Sequence, residues 1–107
     1  MLERVFQAKL IEKLRELFPG CLILKNDSGL LQGIPDLTIL FGDRWAMLEV
    51  KRSKTEPYQP NQEYYLELAD KMSFAARIDP SNEQDVLRDL QQALASSGRN
   101  SRVSRRE

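Results

Sequence analysis

The chain has 107 residues with 16 Lys and Arg against 16 Asp and Glu. That is room for one domain with a core, and a balanced charge that argues neither for nor against a polyanionic partner. It contains no histidine and a single cysteine, Cys21, which excludes His-based nucleophile pairs, imidazole metal ligands, an intramolecular disulfide and a Cys-based zinc site. Any catalysis would fall to carboxylates, lysines, tyrosines or an oxygen-liganded divalent metal.

Leu2, Phe6, Leu10, Leu14, Leu17 and Phe18 recur at helical spacing before Pro19-Gly20, which predicts a first helix over 2–18. Cys21 to Leu24 reads as a short strand, with Cys21 as a small core hydrophobe. A loop rich in Asn, Asp, Ser and Gly follows from Lys25 to Gly33. Leu37 to Phe41 is a second strand, and Gly42-Asp43 marks a hairpin turn into a third, Trp45 to Val50. A polar connection with Pro57 and Pro60 leads to a second helix, Asn61 to Met72. Phe74 to Ile78 fits a fourth strand. Asp79-Pro80-Ser81-Asn82 makes a turn with capping residues before a last amphipathic helix, Glu83 to Leu94.

The expected architecture is therefore α/β, a small mixed sheet flanked by helices in the order αβββαβα, occupying 1–95. The remainder, 96–107, is rich in Ser and Arg and reads as a disordered tail. No apolar run approaches the ~20 residues of a membrane span, and the lone cysteine suits a reducing cytoplasm.

Charged residues interrupt or flank the apolar runs of the second and third strands at three places, Asp36, Glu49 and Lys51. Glu49 and Lys51 share one face of the third strand, because side chains alternate and Val50 faces the other way. Asp36 begins the second strand behind Gly33-Ile34-Pro35. Antiparallel pairing across the Gly42-Asp43 turn brings Asp36 close to the Glu49–Lys51 end. Two carboxylates held that close repel unless a cation lies between them. A hard divalent metal satisfies them, as does a surface salt-bridge cluster formed with Lys51. In the first helix, an advance of about 100° per residue turns Glu3 toward the apolar stripe while Glu12 and Glu16 point away. Glu3 fits either an acid facing the sheet or a frayed first turn suited to the helix dipole. Gln62 falls on the buried sector of the second helix with Tyr65, Leu66 and Ala69, as a half-solvated helix start or a residue aimed at a ligand. Trp45 and the tyrosines Tyr58, Tyr64 and Tyr65 fit packing rather than base stacking.

Taken in order, Glu3, Asn26-Asp27-Ser28-Gly29, Gly33-Ile34-Pro35-Asp36, Glu49-Val50-Lys51 and Gln62 resemble the signature of the PD-(D/E)xK nuclease superfamily, and within it the VRR-NUC (virus-type replication-repair nuclease) branch. The resemblance implies a restriction-endonuclease-like core over residues 3 to about 80. It also implies a metal-dependent endonuclease that hydrolyses DNA phosphodiesters, with a preference for branched or otherwise structured DNA like that of Holliday-junction resolvases. Asp36, Glu49 and the Val50 carbonyl would hold Mg²⁺ or Mn²⁺, with Glu3 binding directly or through water. Lys51 would orient or deprotonate the attacking water, and Gln62 would position Lys51 or a water. Asn26 and Ser28 would contact the DNA backbone. Lys25, Arg52 and Lys54 would offer positive charge to phosphates, or serve simply as solvated surface charges. The same resemblance implies a homodimer able to cut both strands, in the cytoplasm of a bacterium or of a virus-infected cell. The alternative is a catalytically inactive nuclease fold that binds DNA or a protein partner.

Overall fold

A computed structural model describes residues 2–95, and the expected Arg-rich tail lies outside the described residues. The elements run α1 (Glu3–Leu17), β1 (Leu22–Lys25), β2 (Leu37–Phe41), β3 (Arg44–Val50), α2 (Gln62–Met72), β4 (Phe74–Ile78) and α3 (Glu83–Leu94). They form a small mixed α/β fold with an open four-stranded sheet in the order β1-β2-β3-β4.

The first three strands make an antiparallel meander. Gly42, at φ 64°, takes the left-handed conformation that the β2–β3 turn requires. β4 pairs with β3 in parallel, so the chain must cross back over the sheet, and α2 is that crossover. Strand alternation then sorts the side chains. Leu37, Ile39, Ala46, Leu48, Val50 and Ile78 face one layer and pack with Phe6, Leu10 and Leu14 of α1 and with Val86, Leu90 and Leu94 of α3. On the other face α2 lays Leu66 and Ala69 against Ala75 and Met47. Burying these apolar stripes from both sides is the main source of stability, each fully buried Leu or Ile side chain contributing about 1.5–3 kcal/mol.

Several boundaries differ from the sequence reading by a residue, and each has a local cause. Cys21 is outside β1 because its N–H donates to the Phe18 carbonyl, closing the turn after α1. Asn61 does not begin α2. It sits at φ 71° in the left-handed region, which asparagine tolerates better than most residues. Asn82, expected as a helix cap, makes no side-chain cap bond to α3. Its amide turns back instead, accepting from the Asp79 N–H and donating to the Arg77 carbonyl.

Candidate functional site

The β2–β3 register pairs Leu37 with Leu48, so one residue further out Asp36 lies opposite Glu49. β3 pairs Glu49 with Arg77 of β4. On the other side, the Asn26 N–H donates to the Asp36 carbonyl at 2.8 Å and extends the β1–β2 ladder. One row across the sheet, on the face that carries α2, thus reads Asn26, Asp36, Glu49, Arg77. Lys51 follows Glu49 on the same face.

Each member of this row is held. Asp36 Oδ2 accepts from the Val50 N–H at 2.8 Å. The Val50 side chain is fully buried in the core, so this bond anchors the carboxylate to rigid backbone. Glu49 and Lys51 are only 1% and 2% exposed. Lys51 Nζ donates to Gln62 Oε1 at 2.8 Å and lies 3.6 Å from Glu49 Oε2 and 3.9 Å from Glu56 Oε2. Gln62 Oε1 also accepts from the Gln59 N–H at 2.7 Å, so its amide is fixed from two directions.

The electrostatics follow from this crowding. Burial, then the neighbouring Asp36 carboxylate, pushes Glu49 up to about 8 despite the opposing pull of Lys51. Burial also raises Asp36, against the Val50 N–H and Lys51, which hold it down. Ionised, Glu49 has one oxygen, Oε1, that is buried without a hydrogen-bond partner among the described residues. Protonated, Glu49 can donate to Asp36, an interaction that lowers the Asp36 pKa.

Glu3, half-buried in the first turn of α1, lies in line with Phe6, Leu10 and Leu14, whereas Glu12 and Glu16 are exposed. Burial raises its pKa, and the charges of Asp36 and Glu56 raise it further, so it senses the same acidic centre. Among the described residues no three Asp, Glu, Cys or His side chains gather into a ready-made metal cage. A divalent ion nevertheless suits the donor set: two hard carboxylates on one sheet face, one of them with an orphaned buried oxygen.

The flanking residues divide. Asn26 is used internally, its amide donating to the Pro35 carbonyl at 2.8 Å and to Thr38 Oγ1 at 2.9 Å. Lys25, Ser28, Arg52 and Lys54 are exposed. The Arg52 N–H and the Lys54 carbonyl are tied into the β3–α2 connection. Sequence reasoning missed Glu56, Tyr58 and Arg77. Tyr58 was expected only to pack, yet its ring lies 5.1 Å from the Arg77 guanidinium carbon and 6.0 Å from Lys51 Nζ. Arg77 was visible only as a charge on an otherwise apolar strand. Comparison with protein-family models, with curated proteins and with solved structures gives no significant match.

Proposed function

We propose that this chain is a divalent-cation-dependent phosphodiesterase acting on DNA, with a core of the restriction-endonuclease-like type. The observation that carries this reading is half-buried Asp36 opposite buried Glu49 and Lys51, with Glu49 Oε1 orphaned among the described residues. Burying the Glu49 carboxylate and the Lys51 ammonium beside a second acid carries a desolvation cost, which a cation held by the two acids would offset.

Asp36 and Glu49 would hold Mg²⁺ or Mn²⁺, the Val50 carbonyl would contribute at the same strand end, and Glu3 would act through water. The ion would supply Lewis acidity toward the phosphoryl oxygens and a lowered pKa for bound water. The protein's own part is positional and electrostatic. Asp36 is locked by the Val50 N–H, which fixes the acid pair before substrate arrives. Lys51, aimed by Gln62, would offer its ammonium to a phosphate oxygen or to the attacking water. Exposed Lys25, Arg52 and Lys54 would draw the backbone of the substrate toward the site. A preference for branched DNA, action as a homodimer and residence in a bacterial or infected-cell cytoplasm belong to this reading through the resemblance of the sequence motifs.

A second reading, a DNA- or partner-binding module without catalysis, is favoured by one observation: Lys51 already has Glu49, Glu56 and Gln62 as partners within the protein. One experiment separates the two. Supercoiled, linear and four-way-junction DNA are incubated with Mg²⁺ or Mn²⁺ and with the wild type, Asp36→Ala or Lys51→Ala. Cleavage by the wild type alone supports the enzyme. Binding without cleavage by any of the three supports the module.

A further inference from the structure

We propose that Arg77 and Glu56 are positioning residues for Lys51. In this arrangement Arg77 gathers the β3–α2 connection around its guanidinium, and the gathered loop sets the Glu56 carboxylate beside the Lys51 ammonium as a second counter-charge. The inference rests on the phosphodiesterase reading for the role of Lys51, and on geometry alone for the loop.

The connection from Arg52 to Asn61 has no strand or helix, and its own backbone is held by Pro57, Pro60 and a turn bond from the Glu56 N–H to the Ser53 carbonyl at 3.3 Å, which fix only part of its path. Arg77 supplies the missing constraint. Its Nη2 lies 3.0, 3.1 and 2.7 Å from the carbonyl oxygens of Ser53, Lys54 and Glu56. Three carbonyls share the two N–H bonds of one cationic nitrogen, and charge-assisted hydrogen bonds are roughly twice as strong as neutral ones. The guanidinium is fixed in turn. Its Nε is 3.8 Å from the Asp79 carboxylate, which accepts from the Ser81 N–H, and the Tyr58 ring packs over it.

The consequence falls on Lys51. With the loop gathered, Glu56 Oε1 accepts from the Arg52 N–H at 2.8 Å, and Oε2 stands 3.9 Å from Lys51 Nζ. Lys51 is buried, and the Glu49 carboxylate lies 3.6 Å from it. A cation taken up by Glu49 would draw that charge away and leave the buried ammonium poorly compensated. Glu56 retains a counter-charge beside it, while Gln62 retains its hydrogen bond.

The test combines backbone amide exchange with single-turnover cleavage of supercoiled DNA in Mn²⁺, using Arg77→Ala, Arg77→Lys and Glu56→Gln. Arg77→Ala is expected to speed exchange at the amides of Arg52, Gln59 and Gln62 while leaving the β2–β3 ladder unchanged. Its maximal rate is expected to fall about 100-fold, the scale of a misplaced catalytic group, with half-saturation changed less than about twofold. Arg77→Lys keeps the charge and three N–H donors and should recover part of both effects. Glu56→Gln keeps the acceptor for Arg52 and should leave exchange alone, yet lower the rate about tenfold through lost charge. Unchanged exchange at these three amides in Arg77→Ala, faster exchange throughout the sheet, or full rates in both Arg77→Ala and Glu56→Gln would overturn the proposal. A wild type that cleaves nothing would defeat the phosphodiesterase reading, and the Lys51 role with it. The exchange pattern would still decide the loop clamp either way.

Discussion

Gly33 and Asn61, almost thirty residues apart, touch backbone to backbone beside the acid pair. A Cβ placed on Gly33 would come within 2.7 Å of the carbonyl carbon of Asn61, and Gly33 itself sits at φ 94°. The glycine therefore serves two purposes. It allows the left-handed bend that leads into Pro35 and Asp36, and it leaves room for the start of α2, where Gln62 reaches Lys51.

Gly33→Ala is accordingly expected to disturb Gln62 more than the sheet. The left-handed backbone and the contact with Asn61 together should lower stability by about 1–3 kcal/mol. The Gln62 N–H and side-chain resonances should shift in NMR spectra, with the β2–β3 amides near their original positions. Equal shifts throughout the sheet would show that the glycine merely supports the fold.

The pH dependence of the cation-free protein follows from Glu49. Its folded pKa, raised to about 8 by burial and by Asp36, lies above the unfolded value, so the folded state binds more protons between them. The associated stability is complete at pH values below about 4.5 and is lost as pH rises through about 8. Asp36 and Glu3 are shifted in the same direction and add to the slope. Thermal midpoints measured from pH 5 to 9 without divalent ions should fall, and Glu49→Gln should flatten most of that fall. A wild-type profile that rises with pH would refute this assignment.

Much of this arrangement was legible in the sequence, because it depends on alternation. A two-residue turn at Gly42-Asp43 forces Asp36 opposite Glu49, and period-two alternation puts Glu49 and Lys51 on one face. The helical spacing of Phe6, Leu10 and Leu14 likewise aligned Glu3 with the sheet-facing stripe. What could not be read was set by contacts distant in sequence. Arg77 gathers carbonyls more than twenty residues earlier, and backbone carbonyls leave no trace in residue identity. Asn26 resembled a loop residue free to meet DNA, yet it closes its own loop against Pro35 and Thr38.

That internal use of Asn26 has its own expected outcome. Asn26→Ala leaves the Pro35 carbonyl and the Thr38 hydroxyl without this partner, a loss of about 1–3 kcal/mol. For a domain of this size each kcal/mol lowers the thermal midpoint by roughly 4–8 °C. The salt dependence of DNA binding should remain that of the wild type. An unchanged midpoint with a reduced salt slope would instead make Asn26 a phosphate contact.

Glu3 is distinguished from its helix neighbours by its surroundings. Glu3→Gln is expected to weaken Mn²⁺ binding, followed by paramagnetic line broadening, whereas Glu12→Gln and Glu16→Gln should not. Those two side chains are exposed and lie away from the acidic centre. Equal weakening by all three substitutions would mean a diffuse charge effect rather than a place in the site.

The Asp36–Glu49 pair is expected to act on a phosphodiester, and Glu49→Gln tests that role. Glutamine keeps the volume and removes the charge, so the fold should be retained or slightly stabilised above neutral pH. In single-turnover nicking of supercoiled DNA with Mn²⁺, the wild type is expected to cleave and Glu49→Gln to lose about 100-fold or more in rate. A Glu49→Gln protein that nicks at the wild-type rate would contradict the account, as would a folded wild type that nicks with neither Mg²⁺ nor Mn²⁺.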